Sequence, residues 1–241
     1  MSAFCYFVDG LLVDTGFSRA RVILAEGLAD MSLRACVITH HHEDHSGGGA
    51  WIMRHKGVTP LAHPAARPFL EGGFHLQPYR KIFWGGIEPF VPGVVGKTVE
   101  TEHHTFAVID LKGHTEDMIG LHEAREGWLF SADLYVLEKP THFMPNDRYA
   151  DIMASLERAL RLDFDTLLCA HSPRLKGGKE ALRRKHDYLE ELGGKVADLA
   201  GRGMGPRDIR RRLLGREDFT SMATGGHFSK MNLVRSILES T

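Results

Sequence analysis

Ala35-Cys36-Val37-Ile38-Thr39-His40-His41-His42-Glu43-Asp44-His45-Ser46-Gly47-Gly48-Gly49 begins as an apolar run, breaks into imidazoles and carboxylates, and ends in glycine. Residues 35–39 have the short, apolar, β-branched character of a buried strand. Four side chains able to bind a metal, His40, His42, Asp44 and His45, follow directly on its end. A strand end is a rigid place to build a site that needs close placement of its groups.

The same arrangement recurs three times further on. His114 follows a predicted strand at 106–111, Asp133 one at 128–131, and His171 one at 164–170. Four strand ends supplying ligands converge if the strands are neighbours. Imidazole and carboxylate are the donors expected for zinc, manganese or iron, and no thiolate biases the set toward a closed structural zinc. Five histidines and two aspartates exceed what one tetrahedral ion with an open position can use. Shared between two ions, they leave room for a bridging water, and one carboxylate can span the pair.

Around these ends, residues 4–14 read as a hairpin turning at Asp9-Gly10. Residues 18–29 have helical spacing, with Val22, Ile23, Ala25 and Leu28 on the apolar side. A helix holding Trp51, Ile52 and His55 follows, then a strand at 58–62. Residues 72–98 are rich in Gly and Pro and carry Phe74, Tyr79, Phe83, Trp84 and Phe90, the composition of a long irregular segment. Such a segment either lines a substrate pocket or only anchors a loop. A strand at 119–123 and a helix at 150–162 complete the first part. The rest is helical, at 179–192, 194–200, 206–214 and 229–238, with glycine joints at 177–178, 193–194 and 201–205. Strands with helices twice over predict an α/β (α+β) fold of two packed sheets with helices outside. The expected division is a core at 1–176 and a helical extension, 177–241, packed on it.

Composition narrows the function. The 241 residues carry 30 basic and 31 acidic side chains, a net charge of -1, so no global field draws the chain to nucleic acid or an anionic membrane. No stretch approaches the ~18 apolar residues of a membrane span. Three scattered cysteines without CxxC spacing suit a reducing compartment, and the start lacks the pattern of an export signal. A cytoplasmic location is the expectation, with a small molecule as substrate, no nucleic acid or membrane partner, and a homodimer left open.

His40-x-His42-x-Asp44-His45 resembles the HxHxDH signature of the metallo-β-lactamase superfamily. The resemblance extends upstream to Val13-Asp14-Thr15-Gly16. Downstream it takes in Gly113-His114-Thr115, Phe130-Ser131-Ala132-Asp133 and Ala170-His171, in the family's order over residues 4–172. Lys112 and Ala132 stand where Pro and Gly are commoner; neither change removes a ligand. The resemblance implies an αββα sandwich with its site at one edge and two divalent ions, zinc first, manganese or iron as alternatives. It places His40, His42 and His114 on one ion, Asp44, His45 and His171 on the other, and Asp133 between them, with His41 outside the set.

The chemistry implied is hydrolysis by a metal-bridging hydroxide of a small-molecule ester, thioester, lactone or amide-like bond. Asp44 is the candidate catalytic residue, orienting the water or carrying its proton. Asp14 either holds a ligand imidazole by its free N–H or fixes its own turn. Tyr135, His142 and His227 are candidates for a substrate pocket, each weighed against an ordinary structural place. The alternatives are a phosphodiesterase or nuclease on the same metal pair, and a mononuclear iron redox enzyme of the same fold.

Overall fold

The computed structural model describes residues 3–241. Strands β1 (Tyr6–Val8), β2 (Leu11–Val13), β3 (Ala35–Val37), β4 (Leu61–Ala62) and β5 (Gly93–Val94) form one sheet in that order. β1 and β2 are antiparallel and the remaining pairs parallel. The second sheet runs β10-β9-β8-β7-β6, from β6 (Thr98–Glu100), β7 (Thr105–Asp110), β8 (Ile119–Glu123), β9 (Trp128–Ala132) and β10 (Thr166–Cys169). Only its β9–β10 pair is parallel. Helices α1 (Arg21–Gly27), α2 (Glu43–Ser46), α3 (Gly49–Lys56), α4 (Arg67–Gly72) and α5 (Pro78–Phe83) come from the first half. α6 (Tyr149–Leu160), α7 (Gly178–Gly201), α8 (Pro206–Leu214), α9 (Phe219–Ala223) and α10 (Lys230–Leu238) come from the second.

Side-chain alternation along the strands builds the layers. Leu11 and Val13 of β2 and Val37 of β3 meet Phe106, Ile119, Leu121 and Phe130 of the other sheet. Between them in sequence, Leu12 and Cys36 face the opposite way, against Leu28, Ile52, Leu70 and Phe90. Behind the second sheet, Leu129, Leu167 and Cys169 pack on α6, α7, α8 and α10 through Leu156, Leu189, Val196, Ile209, Leu233 and Ile237. The order is helices, sheet, sheet, helices. The tail helices share this last core with α6 and the strands.

Three expectations are corrected. Val22 and Ile23 of α1 face solvent; its inward side is set by Leu24, with Leu28 just beyond the helix. Residues 179–200 form one continuous helix, α7, not two pieces. Gly193 sits inside it because the Tyr149 ring lies against that position and leaves no room for a Cβ. The segment 72–98 contains α5, a short regular helix with Pro78 at its N-terminus. No helix among the described residues is long and apolar enough to cross a membrane.

Candidate metal centre

Topology brings the four strand ends together. β10 runs parallel to β9, and a one-residue register shift between Leu168 and Cys169 sets Cys169 opposite Ala132, so His171 and Asp133 follow directly on paired strand ends. The two sheets are stitched where Ile119 N donates to Thr39 O at 2.9 Å, which fixes the β3 end against β8. Three backbone turns sharpen the exits: Asp14 has φ 61°, Ala132 φ 46° and Gly113 φ 133°. Positive φ is uncommon for non-glycine residues and is kept where surrounding structure enforces it.

His40, His42 and His114 bring ring nitrogens to one point, Asp44, His45 and His171 bring a carboxylate oxygen and two ring nitrogens to another, and Asp133 joins His40 and His45 in a third overlapping group. In the first group His42 Nδ1 lies 3.1 Å from His40 Nε2 and 3.0 Å from His114 Nε2. These spacings are close to the roughly 3.3 Å edge expected for tetrahedral ligands with bonds of about 2.0–2.1 Å. In the second, His171 Nε2 is 3.4 Å from Asp44 Oδ2 and 3.5 Å from Asp133 Oδ1. His45 Nε2 is 3.3 Å from Asp133 Oδ1, and both atoms are buried without a hydrogen-bond partner.

The outer nitrogens settle which lone pairs face inward. Asp147 Oδ1 sits 2.9 Å from His114 Nδ1, and Asp14 Oδ2 sits 2.7 Å from His45 Nδ1. Carboxylates there hold the proton on Nδ1, so that Nε2 is the nitrogen each ring can offer to a metal ion. Asp14 also takes Thr39 N and Thr39 Oγ1, at 2.7 and 2.9 Å, so one side chain anchors both the β3 end and a ligand-type imidazole. Several bare nitrogens and carboxylates converging in a dry space repel unless positive charge lies among them. The donor set therefore fits two divalent cations.

Burial and the crowding of carboxylates set the titration of these groups. Burial, with His45 and Arg80 adding to it, holds His40 and His42 well below the ordinary imidazole range, in the neutral form that ligates. Burial would lower His45 and His171 too, but Asp14, Asp133 and Asp44 overcome it, raising His45 and pushing His171 up to about 11. Burial opposes ionisation of Asp133, yet the fields of His45 and His171 keep it well below the usual carboxylate range.

The ring of supporting contacts is only partly legible in the sequence. His41 turns away and engages Asp117, its N donating to Oδ2 at 2.7 Å and its Nδ1 lying 2.8 Å from Oδ1, while its ring stacks on Phe69. Glu43, fully buried, receives two hydrogen bonds from Arg80 of α5. Asp117, Asp147 and Arg80 carry no motif; the nearest signal is their place in segments beside ligand-bearing turns. Of the pocket candidates, Tyr135 is corrected: its ring is fully buried in the helical core, and its hydroxyl accepts from Arg174 Nε at 3.4 Å. His142 stacks on Phe228 and meets Asp218 Oδ1 at 3.0 Å. His227 Nδ1 lies 2.9 Å from Tyr79 Oη, joining the tail to α5.

Helices flanking two sheets, with imidazoles and carboxylates gathered at the strand ends, place the chain among the metallo-hydrolases. It belongs to the metallo-beta-lactamase superfamily, whose sequence profile matches residues 1–171. The chain is 27% identical over 213 residues to a hydroxyacylglutathione hydrolase of Aeromonas salmonicida (strain A449), covering 87% of this chain and 75% of that one. A probable metallo-hydrolase of Bacillus subtilis (strain 168) is 24% identical over 188 residues, covering 76% and 80%. Among solved structures, a metallo-beta-lactamase family protein from Thermus thermophilus superposes with TM-score 0.66 at 20% identity, covering 98% of this chain and 86% of that one.

Proposed function

We propose that the chain is a dinuclear metal-dependent hydrolase of a small-molecule thioester or ester. His40, His42 and His114 would hold one ion, Asp44, His45 and His171 the other, and Asp133 both. When bound, two divalent ions supply a polarising charge for the scissile carbonyl and lower the pKa of water at the site toward neutrality. The protein's part is preorganisation. Asp147 and Asp14 fix the tautomers of His114 and His45, so that each Nε2 faces the site without rearrangement. The proton released by the attacking water passes to a carboxylate oxygen of Asp44.

The observation that carries this reading is the pair of buried, unpartnered atoms, His45 Nε2 and Asp133 Oδ1, facing each other across the convergence point. The activity named for the Aeromonas relative supports a thioester as the first bond to try. The test is elemental analysis of protein purified without chelator, paired with a panel of thioesters, esters, lactones and bis-p-nitrophenyl phosphate. About two ions per chain, with thioester or ester cleavage lost to chelator and regained on adding zinc or manganese, is the expected result. Preference for the phosphodiester would move the assignment to phosphodiesterase chemistry. One iron per chain without hydrolysis would replace the hydrolase reading by a redox one.

A further inference from the structure

We propose that Arg80 is a positioning residue for the metal-ligand segment, acting through the buried carboxylate of Glu43. This rests on the reading of His42, Asp44 and His45 as ligands. Glu43 stands between His42 and Asp44 in the chain, opens the single turn of α2, and is fully buried. Arg80 reaches it from α5: Nε donates to Oε1 at 2.6 Å and Nη2 to Oε2 at 2.7 Å. A two-pronged pairing of this kind fixes orientation as well as charge, which a lysine cannot do.

The ligand turn needs such an outside anchor. α2 has four residues, and its N-cap, His42, makes no side-chain cap bond. One helical turn is not stable by itself, because nucleation fixes several dihedrals for few hydrogen bonds. The direction in which Asp44 and His45 leave the turn therefore depends on what grips it. Thr15 Oγ1 holds one end by donating to His45 O at 2.9 Å, and Arg80 holds the other. Arg80 itself is anchored. Its Nη1 lies 3.7 Å from Met144 Sδ, and Met144 N donates to Asp147 Oδ2 at 2.7 Å, the carboxylate that holds His114. Tyr79, next to Arg80, is tied to His227, and Ser18 Oγ donates to Trp84 O at 3.3 Å beyond the end of α5. One guanidinium thus joins α5, the ligand turn and the loop behind His114.

Without Arg80, Glu43 becomes an unpaired buried carboxylate beside Asp44. Turning it out to water is the cheapest relief, and that rotation swings the flanking ligands. Glu43 takes Nε and Nη2 of the guanidinium and Nη1 turns to Met144 Sδ, an arrangement that commits Arg80 to holding the turn.

The experiment compares metal retention in the full chain, loaded with zinc or cobalt(II) at fixed pH, by competition with a chelator. Arg80→Met is expected to lower metal affinity about 10–100-fold and to alter the cobalt(II) absorption. Arg80→Lys, with charge but no fork, should fall between it and wild type. The double variant Glu43→Met/Arg80→Met should recover most of the loss, since neither charge is left unpaired. Wild-type metal affinity in Arg80→Met, with only KM raised, would make Arg80 a substrate contact and overturn the proposal. So would a double variant no better than the single one. If Arg80→Met does not fold, Arg80→Lys decides: undiminished affinity and an unchanged cobalt spectrum overturn the proposal. A wild-type chain that holds no metal defeats the ligand assignment itself, a failure visible without any variant.

Discussion

The side chain of Lys185 enters the protein from α7 and ends 2.6 Å from the carbonyl of Leu134, the residue after Asp133. It is 6% exposed, and no carboxylate among the described residues pairs with it. Burial lowers its pKa from 10.5 to about 8, against the attraction of Asp133 and Asp147. The unfolded chain therefore binds the extra proton between the two values, and folding stability rises with pH across that window. Below about 8 both states are protonated and the burial cost is fully present, on the order of 3 kcal/mol for a shift of this size. Lys185→Met removes that cost but leaves the Leu134 carbonyl unmet, at about 1–3 kcal/mol. The variant should therefore be more stable than wild type by on the order of 1 kcal/mol near neutral pH. It should lose that advantage, and then fall behind, as pH approaches about 10. Urea unfolding of both chains at the two ends of the window checks this. A stability difference that does not move with pH would mean that Lys185 titrates as an ordinary lysine.

Between elements, one tight approach beside the site is where the turn after β7 passes α6. Gly113 has φ 133°, and a Cβ there would lie 2.5 Å from Ile152 Cγ1 and 2.6 Å from Ile152 N. α6 cannot retreat, because α7 and α10 pack behind it. Gly113→Ala therefore combines backbone strain with overpacking and should cost about 3 kcal/mol or more. It should also weaken metal retention by displacing His114. Gly57→Ala is the control: φ is 67° with open space around it, so it should cost only about 1–2 kcal/mol and leave metal binding alone. Equal effects of the two variants on thermal unfolding and metal retention would remove the crowding argument. The elements that deliver ligands are readable because a run of period-two or fully apolar residues stops abruptly at His, Asp or Gly, and β3, β7, β8, β9 and β10 lie within a residue or two of their expected spans. Contacts between distant segments leave no such mark. Glu43 and Arg80 are 37 positions apart, His41 and Asp117 76, so no local period joins them. In α7, Gly193 and Gly194 have the look of a joint between two helices, whereas Gly193 is there to admit Tyr149. The inward face of α1 escapes a reading by spacing because tertiary packing, not propensity, selects Leu24 and Leu28.

At the scale of the whole chain, the tail is built into the wall behind His114. Ser236 of α10 donates to Asp147 O at 2.7 Å and accepts from Tyr149 N at 2.8 Å, so the last helix grips the loop whose carboxylate orients His114. Phe143 and Ser229 exchange backbone hydrogen bonds, and Asn232 Nδ2 donates to Phe143 O at 3.1 Å. Beneath these polar ties, Leu233, Val234 and Ile237 are fully buried against α6, α7 and α8. At about 1.5–3 kcal/mol for each such side chain, their removal takes away on the order of 5–9 kcal/mol, as much as a whole domain commonly possesses. A chain ended after Arg216 should therefore lose its cooperative thermal transition and retain no metal. Ser236→Ala separates the polar tie from the core. It should fold, lose about 1–3 kcal/mol from the two groups left unpaired, and give up metal to chelator more readily than wild type through the loosened Asp147. Calorimetry with chelator competition on the two chains distinguishes the cases. A shortened chain that still melts cooperatively and keeps its ions would mean that residues 217–241 only lean on the site; a Ser236→Ala chain that loses stability but no metal affinity would confine α10 to the core.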